Sequence, residues 1–453
     1  MDASAETTNR FISSIHVSNL FGLYTYHLLP KRPAPNTPDN LLILYGDNGS
    51  GKTTILKLVF HLLSPANDKG HRTFLANTPF QTLRVELGNG TTITARRRRS
   101  RLLTGSYRLI LALPDERPIS LLVHAPSGSG RVPVDKNPLL PRFLRRLAQL
   151  NLTLHYLSDD RKHEGDTDAD EPKARQQEVS TESEWRTVLT STPPANPEPV
   201  LEASVRRLDV WIRARALKAA SEGEANTNTI YAEIVRRIGR ARGAEDASEA
   251  TSSTAALREA LVELEQRSTA FSEFNLVSPL HVSEIIATLD RAPSPTQRII
   301  LNVLVPYVNG LKARLDALQS IQTLIRIFVE AINSFLTDKT LSFTLPDGIK
   351  IIARNGRALT LRMLSSGERQ LLLLFCDTMT ARDQASVFII DEPELSLNVK
   401  WQRRLLDMLL KCAEGSSIQF ITATHSVELV SRHLAHVLHL RQVEEPPIRD
   451  SQA

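Results

Sequence analysis

The chain has 453 residues, 41% of them apolar, 23% charged and 5% aromatic; this is the balance of folded domains with a sizeable core, and it excludes collagen-like, mucin-like and wholly disordered chains. Lys and Arg number 55 against 50 Asp and Glu, a surplus of 5 too small to imply a polyanionic partner, so the placement of charge matters more than its sum. Cys376 and Cys412 are too few for a disulfide framework or a zinc site, residues 1–10 lack the apolar core of a secretion signal, and no run of 18 uncharged apolar residues occurs, so a reduced, cytoplasmic, non-membrane protein is expected.

FISSIHV and LYTYHLL, separated by a short turn at Phe21 and Gly22, predict an opening hairpin. After a Pro-rich loop, LLILYG at 41–46 is a continuous apolar run of buried-strand type that feeds a Gly-rich turn and then the helical pattern ILKLVFHLL. Residues 80–125 alternate like strands about a Gly88-Asn89-Gly90 turn and predict an antiparallel lobe. From Asp159 to Glu184 ten acids face four bases and a Pro cluster follows, which predicts a linker over 159–199. Residues 200–337 are rich in Ala, Leu, Arg and Glu. Within them Leu315, Leu318, Gln322, Ile325, Phe328, Ile332 and Phe335 keep helical steps, with Pro293, Pro295 and Pro306 expected to break or kink the approach. A hairpin over Leu341–Leu345 and Ile349–Ala353 comes next, and then helices alternate with strands to His439. The expected class is α/β, as an N-terminal part (1–158) and a C-terminal part (338–453) of one domain interrupted by the linker and a helical insertion.

GDNGSGKT, Gly46 to Thr53, fits G-x-x-x-x-G-K-[ST] and lies between a buried strand and a helix, where that motif works. The glycines let backbone N–H groups curl around phosphate oxygens, Lys52 reaches the β and γ phosphates of a nucleotide, the Thr53 hydroxyl ligates Mg2+, and the helix aims its positive end inward. Gly46, Asn48, Gly49, Ser50, Gly51, Lys52, Thr53 and Thr54 are the candidate ATP-binding residues. Far downstream, the apolar strand Val387–Ile390 ends in Asp391 and Glu392. Carboxylates at a strand's C-terminal edge meet ligands in α/β sheets, so Asp391 is a candidate Mg2+ ligand and Glu392 a candidate catalytic base for the attacking water. Such a pair by itself is more often merely a solvated loop; the P-loop in the same chain favours the catalytic reading. LSSGERQ, 364–370, sets Ser and Gly at a helix N-terminus, a ready anion site as well as an ordinary cap. FITATHS ends a strand at His425, whose imidazole could contact the γ phosphate.

In chain order the four elements, Gly46–Thr53, LSSGERQ, the strand ending in Asp391 and Glu392, and FITATHS, resemble Walker A, signature, Walker B and switch histidine of the ABC-type ATPases, in the branch that contains the SMC, RecF and OLD proteins. LSSGERQ with IIDEPELSL, WQRRLL and TATHS looks like the stand-alone AAA-type ATPases of bacterial phage-defence systems such as PARIS, Septu and some retrons. The resemblance covers residues 11–160 and 340–440. It implies a P-loop NTPase head split by an inserted arm, and a homodimer or higher oligomer in which Ser365, Ser366, Gly367 and Glu368 of one copy close on ATP and Mg2+ held by another. It further implies an ATP-hydrolysing switch that holds or activates a separate effector, such as a Toprim or HNH nuclease. Two positions depart from the pattern: Asn398 stands where transporters carry the D-loop Asp, and no Gln follows the strand LTLHYLSDDR, leaving Gln81 as an outside candidate for the Q-loop and Asp160 as a candidate water-mediated Mg2+ contact.

The run Arg96 to Arg101 lies in a window, 91–150, with twelve bases and three acids. A solvated strand and loop, a nucleic-acid track and a docking site for an acidic protein all fit such a patch, and no interleaved aromatics support base stacking. Phe21, Tyr24 and Tyr26 offer either an adenine contact or hairpin core. The rival reading of the whole chain is a RecF- or SMC-like DNA-repair or DNA-binding ATPase, against which the insertion lacks the sustained heptads of a long coiled-coil arm.

Overall fold

A computed structural model describes residues 11–29, 40–67, 69–98, 102–125, 137–157, 198–240 and 247–440. The linker expected over 159–199 falls outside them except at its last two residues. The chain divides into two compact units, one made of 1–200 with 381–453 and the other of Leu201–Thr380. Residues 338–380, grouped above with the C-terminal part of the head, cluster with the helical insertion. Elements are numbered in chain order.

In the first unit, the opening hairpin forms as β1 (Ile12–Leu20) and β2 (Tyr24–Leu28), and the alternating stretch after it forms β4 (Thr82–Leu87), β5 (Thr92–Arg96), β6 (Tyr107–Ala112) and β7 (Ile119–Val123). They make one antiparallel sheet in the order β2-β1-β4-β5-β6-β7. Period-2 alternation puts Val17, Leu83, Val85, Ile93, Ala95, Leu109 and Leu121 on its buried face. A second, wholly parallel sheet runs β14-β3-β13-β12-β8, from β3 (Leu41–Tyr45), β8 (Thr153–Leu157), β12 (Ser386–Asp391), β13 (Ile418–Thr424) and β14 (Val437–His439). Every residue of β12 and β13 is buried, which is why they read as unbroken apolar runs rather than alternating ones.

Helix α1 (Lys52–Leu63) follows β3 and touches β8, β12 and β13 of the parallel sheet and β5 of the antiparallel one. Ile55, Leu56, Leu58, Val59 and Leu62, none of them measurably exposed, join its core. Residues α2 (His71–Asn77), α3 (Leu140–Ala148), α9 (Val399–Ala413) and the short α10 (Val427–Val430) complete the unit. Two buried cysteines, Cys376 in the second unit and Cys412 in the first, are free.

The second unit holds α4 (Glu198–Arg240), α5 (Ala247–Ser272), α6 (Ser283–Arg291) and α7 (Ser294–Asn333), a small antiparallel sheet of β9 (Lys339–Thr344), β10 (Gly348–Ala353) and β11 (Ala358–Leu359), and α8 (Ser366–Thr380). The expected hairpin is β9–β10. Pro306 corrects one expectation, for it sits inside α7, which runs unbroken over 40 residues; Pro293 is its N-cap and Pro295 lies in its first turn, where a missing N–H costs nothing. Arg207 of α4 pairs with buried Asp377 of α8 at 3.1 Å. Among the described residues no helix is long and apolar enough to cross a membrane.

Candidate functional site

The loop between β3 and α1 is built for close approach. Gly49 and Gly51 adopt φ of +84° and +87°, the left-handed region that glycine enters without strain. A Cβ on Gly51 would also lie 3.0 Å from Leu20 Cδ2. Tyr26, one of the hairpin aromatics, is buried and donates its hydroxyl to the Ser50 carbonyl at 2.9 Å, so it serves the loop as a brace. Lys52, 5% exposed, donates from Nζ to the carbonyls of Gly46 at 2.7 Å and Asp47 at 3.1 Å, which curls its ammonium over the loop.

The strand end after β12 meets this loop from the other half of the chain. Thr53 Oγ1 donates to Asp391 Oδ1 at 3.1 Å, across 338 residues of sequence. The Tyr156 hydroxyl of β8 reaches the other oxygen of Asp391 at 3.5 Å. Glu392 has a φ of +45°, a strained value for a residue with a side chain. Its carboxyl lies 3.7 Å from Lys52 Nζ and 2.7 Å from His425 Nδ1. Burial first, and the neighbouring Glu394 second, push the Glu392 carboxyl up to about 7 against the pull of His425.

Glu394 is the functional residue that the sequence reading passes over. It is buried, and its Oε1 accepts the Thr424 hydroxyl and the backbone N–H groups of His425 and Ser426, each N–H at 3.1 Å. Its Oε2 is buried without a hydrogen-bond partner. The signal was the third acid in DEPE, which follows the same strand end as Asp391 and Glu392.

Around these groups lies a cavity of about 420 Å3, lined by Asn48, Gly49, Gly51, Lys52, Thr53 and Thr54 with Phe21, Glu392, Leu395 and His425. Its walls fit a magnesium-bound triphosphate: a helix N-terminus, a lysine over the loop, and the hydroxyl and carboxylate oxygens of Thr53 and Asp391 that a hard cation prefers. Phe21, 43% exposed, is the one hairpin aromatic on the cavity wall; Tyr26 braces the loop and Tyr24 stacks on it.

Other expected site residues lie elsewhere. Ser365 and Glu368 belong to the second unit and cap α8 reciprocally: Ser365 N–H donates to Glu368 at 2.7 Å and Glu368 N–H to Ser365 Oγ at 3.3 Å. Lys339 holds the same Glu368 carboxylate at 2.7 Å, so this acid is occupied within its own unit. Ser366 is exposed and Gly367 is buried. Asp160 lies outside the described residues. Gln81 does not reach the cavity; its amide donates to the Arg97 and Arg98 carbonyls. Asn398 accepts from the Trp401 N–H as the N-cap of α9. Of the arginine run, Arg99 and Arg101 lie outside the described residues and Arg97 is no surface group at all: 3% exposed, it donates to the carbonyls of Phe80, Leu75 and Ala76 at 2.6–3.0 Å and stacks 4.1 Å from the Phe80 ring.

A family model described as "AAA domain, putative AbiEii toxin, Type IV TA system" matches residues 41–431. None of the curated proteins matches the chain. Similar solved structures include the Smc head domain with an extended coiled coil bound to the C-terminal domain of ScpA from Pyrococcus furiosus, at 13% identity and a TM-score of 0.35, covering 95% of this chain and 94% of that one. The SMC head domain from Thermotoga maritima, at 10% identity and a TM-score of 0.33, covers 93% and 91%.

Proposed function

Because the chain belongs to this AAA-domain family of P-loop ATPases, we propose that it is an ATP-hydrolysing switch of the ABC type and the sensor or scaffold of a bacterial anti-phage system, governing a separate effector. The observation that carries the catalytic part is the hydrogen bond from Thr53 to Asp391, which joins the phosphate-binding loop to the acidic strand end with Lys52, Glu392 and His425 around one cavity.

Lys52 and the loop N–H groups take the triphosphate, and Thr53 with Asp391 would hold Mg2+, which neutralises charge on the phosphates when bound. Glu392, with its carboxyl near neutrality, is suited to orient water and accept its proton. His425 fixes the Glu392 carboxyl in direction. Ser365 and Gly367 of a second copy would complete the site, so ATP joins subunits and its hydrolysis releases them; the energy lies in contacts that differ between the two states. The defence role is supported by the motif resemblance and by the family description, which names a toxin of a toxin–antitoxin system.

Lys52→Ala should abolish ATP binding in equilibrium dialysis, whereas Glu392→Gln should bind ATP and turn it over at least 100-fold more slowly, the scale of a lost catalytic base. Turnover of Glu392→Gln at the wild-type rate would refute the assignment. For the defence role, the genomic neighbour should encode a nuclease or comparable effector, and phage protection by the pair should vanish with Lys52→Ala.

A further inference from the structure

The parallel register of β8 on β12 sets Tyr156 beside Ile389 and Leu157 beside Ile390. Side chains alternate between the two faces along a strand. Tyr156, Ile389 and Asp391 therefore share one face of the sheet, the face on which Tyr156 and Ile389 join the core under α1. Asp391 stands two residues beyond Ile389 toward the strand end, and the length of a tyrosine spans that step: the phenol hydroxyl comes to 3.5 Å from Asp391 Oδ2. Helix α1 steadies the ring. Phe60 follows Thr53 by seven residues, about two turns, and so lies on the same side of the helix. Its ring is 5.3 Å from that of Tyr156 and meets His61 and His71 at 5.4 and 5.5 Å. One helix thus supplies both the hydroxyl on Asp391 Oδ1 and the platform for the phenol on Oδ2.

We infer that Tyr156 is a positioning residue for the cation that accompanies the nucleotide: its hydroxyl fixes the rotation of the Asp391 carboxylate, so that Oδ1 stays turned toward Thr53 and the metal. The inference rests on the proposed reading of the cavity as a magnesium-nucleotide site. The terminal torsion of an aspartate is broad and has no narrow well to hold it. Asp391 is 2% exposed, so protein donors rather than bulk water set its direction. With Thr53 at 3.1 Å on one oxygen and Tyr156 on the other, the carboxylate plane is held at both ends. The contact from Tyr156 is long, and hydrogen bonds around a reaction centre commonly tighten when the ligands load. A phenol suits the task because it donates without carrying charge, which leaves the full negative charge of Asp391 for the cation. Outer partners of this kind are worth about 10- to 100-fold in metal affinity.

The test is equilibrium dialysis of a non-hydrolysable ATP analogue against the full chain, once with Mn2+ and once with EDTA. The ratio of the two affinities is the factor by which metal tightens nucleotide binding. Tyr156→Phe should lower that factor about tenfold or more, while its affinity in EDTA stays within about twofold of wild type. The ring remains in place, so the melting temperature should stay close to that of wild type. In an Asp391→Asn background, Tyr156→Phe should change the factor by less than about twofold, because the phenol acts through that carboxylate. An unchanged factor in Tyr156→Phe, an equal loss of affinity in EDTA, or a full tenfold loss that persists in the Asp391→Asn background would each overturn the inference and leave the nucleotide site standing. A wild-type chain whose nucleotide binding Mn2+ does not tighten would overturn the metal-nucleotide reading and this inference with it.

Discussion

Glu394 organises the site without touching its cavity. One oxygen gathers a hydroxyl and two backbone N–H groups from the segment Thr424–Ser426, and that segment is what aims His425 at Glu392. Glu394→Ala should release the segment and lower kcat for ATP about 100-fold, the scale of a small misplacement of catalytic groups. Because the phosphate loop is untouched, KM should stay within about twofold. Glu394→Gln keeps an acceptor and should fall between that variant and wild type in a steady-state phosphate-release assay. Glu392 supports a prediction about stability. Its carboxyl ionises at about 7 in the folded chain and near 4.5 without these surroundings, so between those values the folded chain holds the extra proton. Stability therefore falls as pH rises from 4.5 to 7 and stays lower above. Glutamine does not ionise, and Glu392→Gln without nucleotide should be more stable than wild type at pH 8 by about 3 kcal/mol, a gap that closes toward pH 4.5. Calorimetric melting across that range reads the difference.

At the scale of elements, two arginines, Arg97 buried and Arg207 partly exposed, hold pieces of chain together by different chemistry. Arg97 satisfies three carbonyls from the α2 region and the strand entry; Arg97→Leu would strand them in the core and should cost about 2–4 kcal/mol, visible as a lowered melting temperature. Arg207 neutralises Asp377, whose carboxyl burial pushes up. Arg207→Ala should cost about 3–5 kcal/mol, while replacing both partners by leucine should recover most of it. The sequence makes the P-loop, the buried strands and the Asp391–Glu392 pair legible because each is a local pattern: glycines at fixed spacing, an unbroken apolar run, acids where that run stops. The inward turn of Arg97, the brace from Tyr26 to Ser50 and the anchoring by Glu394 depend on partners far away in the chain, and no local period encodes them. Ser365-x-x-Glu368 shows the opposite difficulty, since one short pattern serves both a helix cap and an anion site, and only the cap is visible within the unit that contains it.

For the whole molecule, the proposed switch predicts nucleotide-dependent assembly. With ATP, Glu392→Gln should shift to a larger species in multi-angle light scattering, and Lys52→Ala should not. Ser365→Ala should bind ATP normally yet fail to assemble; its lost cap costs only about 1 kcal/mol, and a melting curve separates that effect from the loss of association. The parallel sheet carries a further consequence. Strand β3, which delivers the phosphate loop, has β13 and β14 as its two neighbours, and both are made from the last stretch of described chain, after residue 417. During translation this apolar strand leaves the ribosome with no partner for its edges, and pairings so remote are slow to close and prone to aggregation. A chain arrested before residue 418 lacks both strands that flank β3, and should therefore hold nucleotide far more weakly than the finished one.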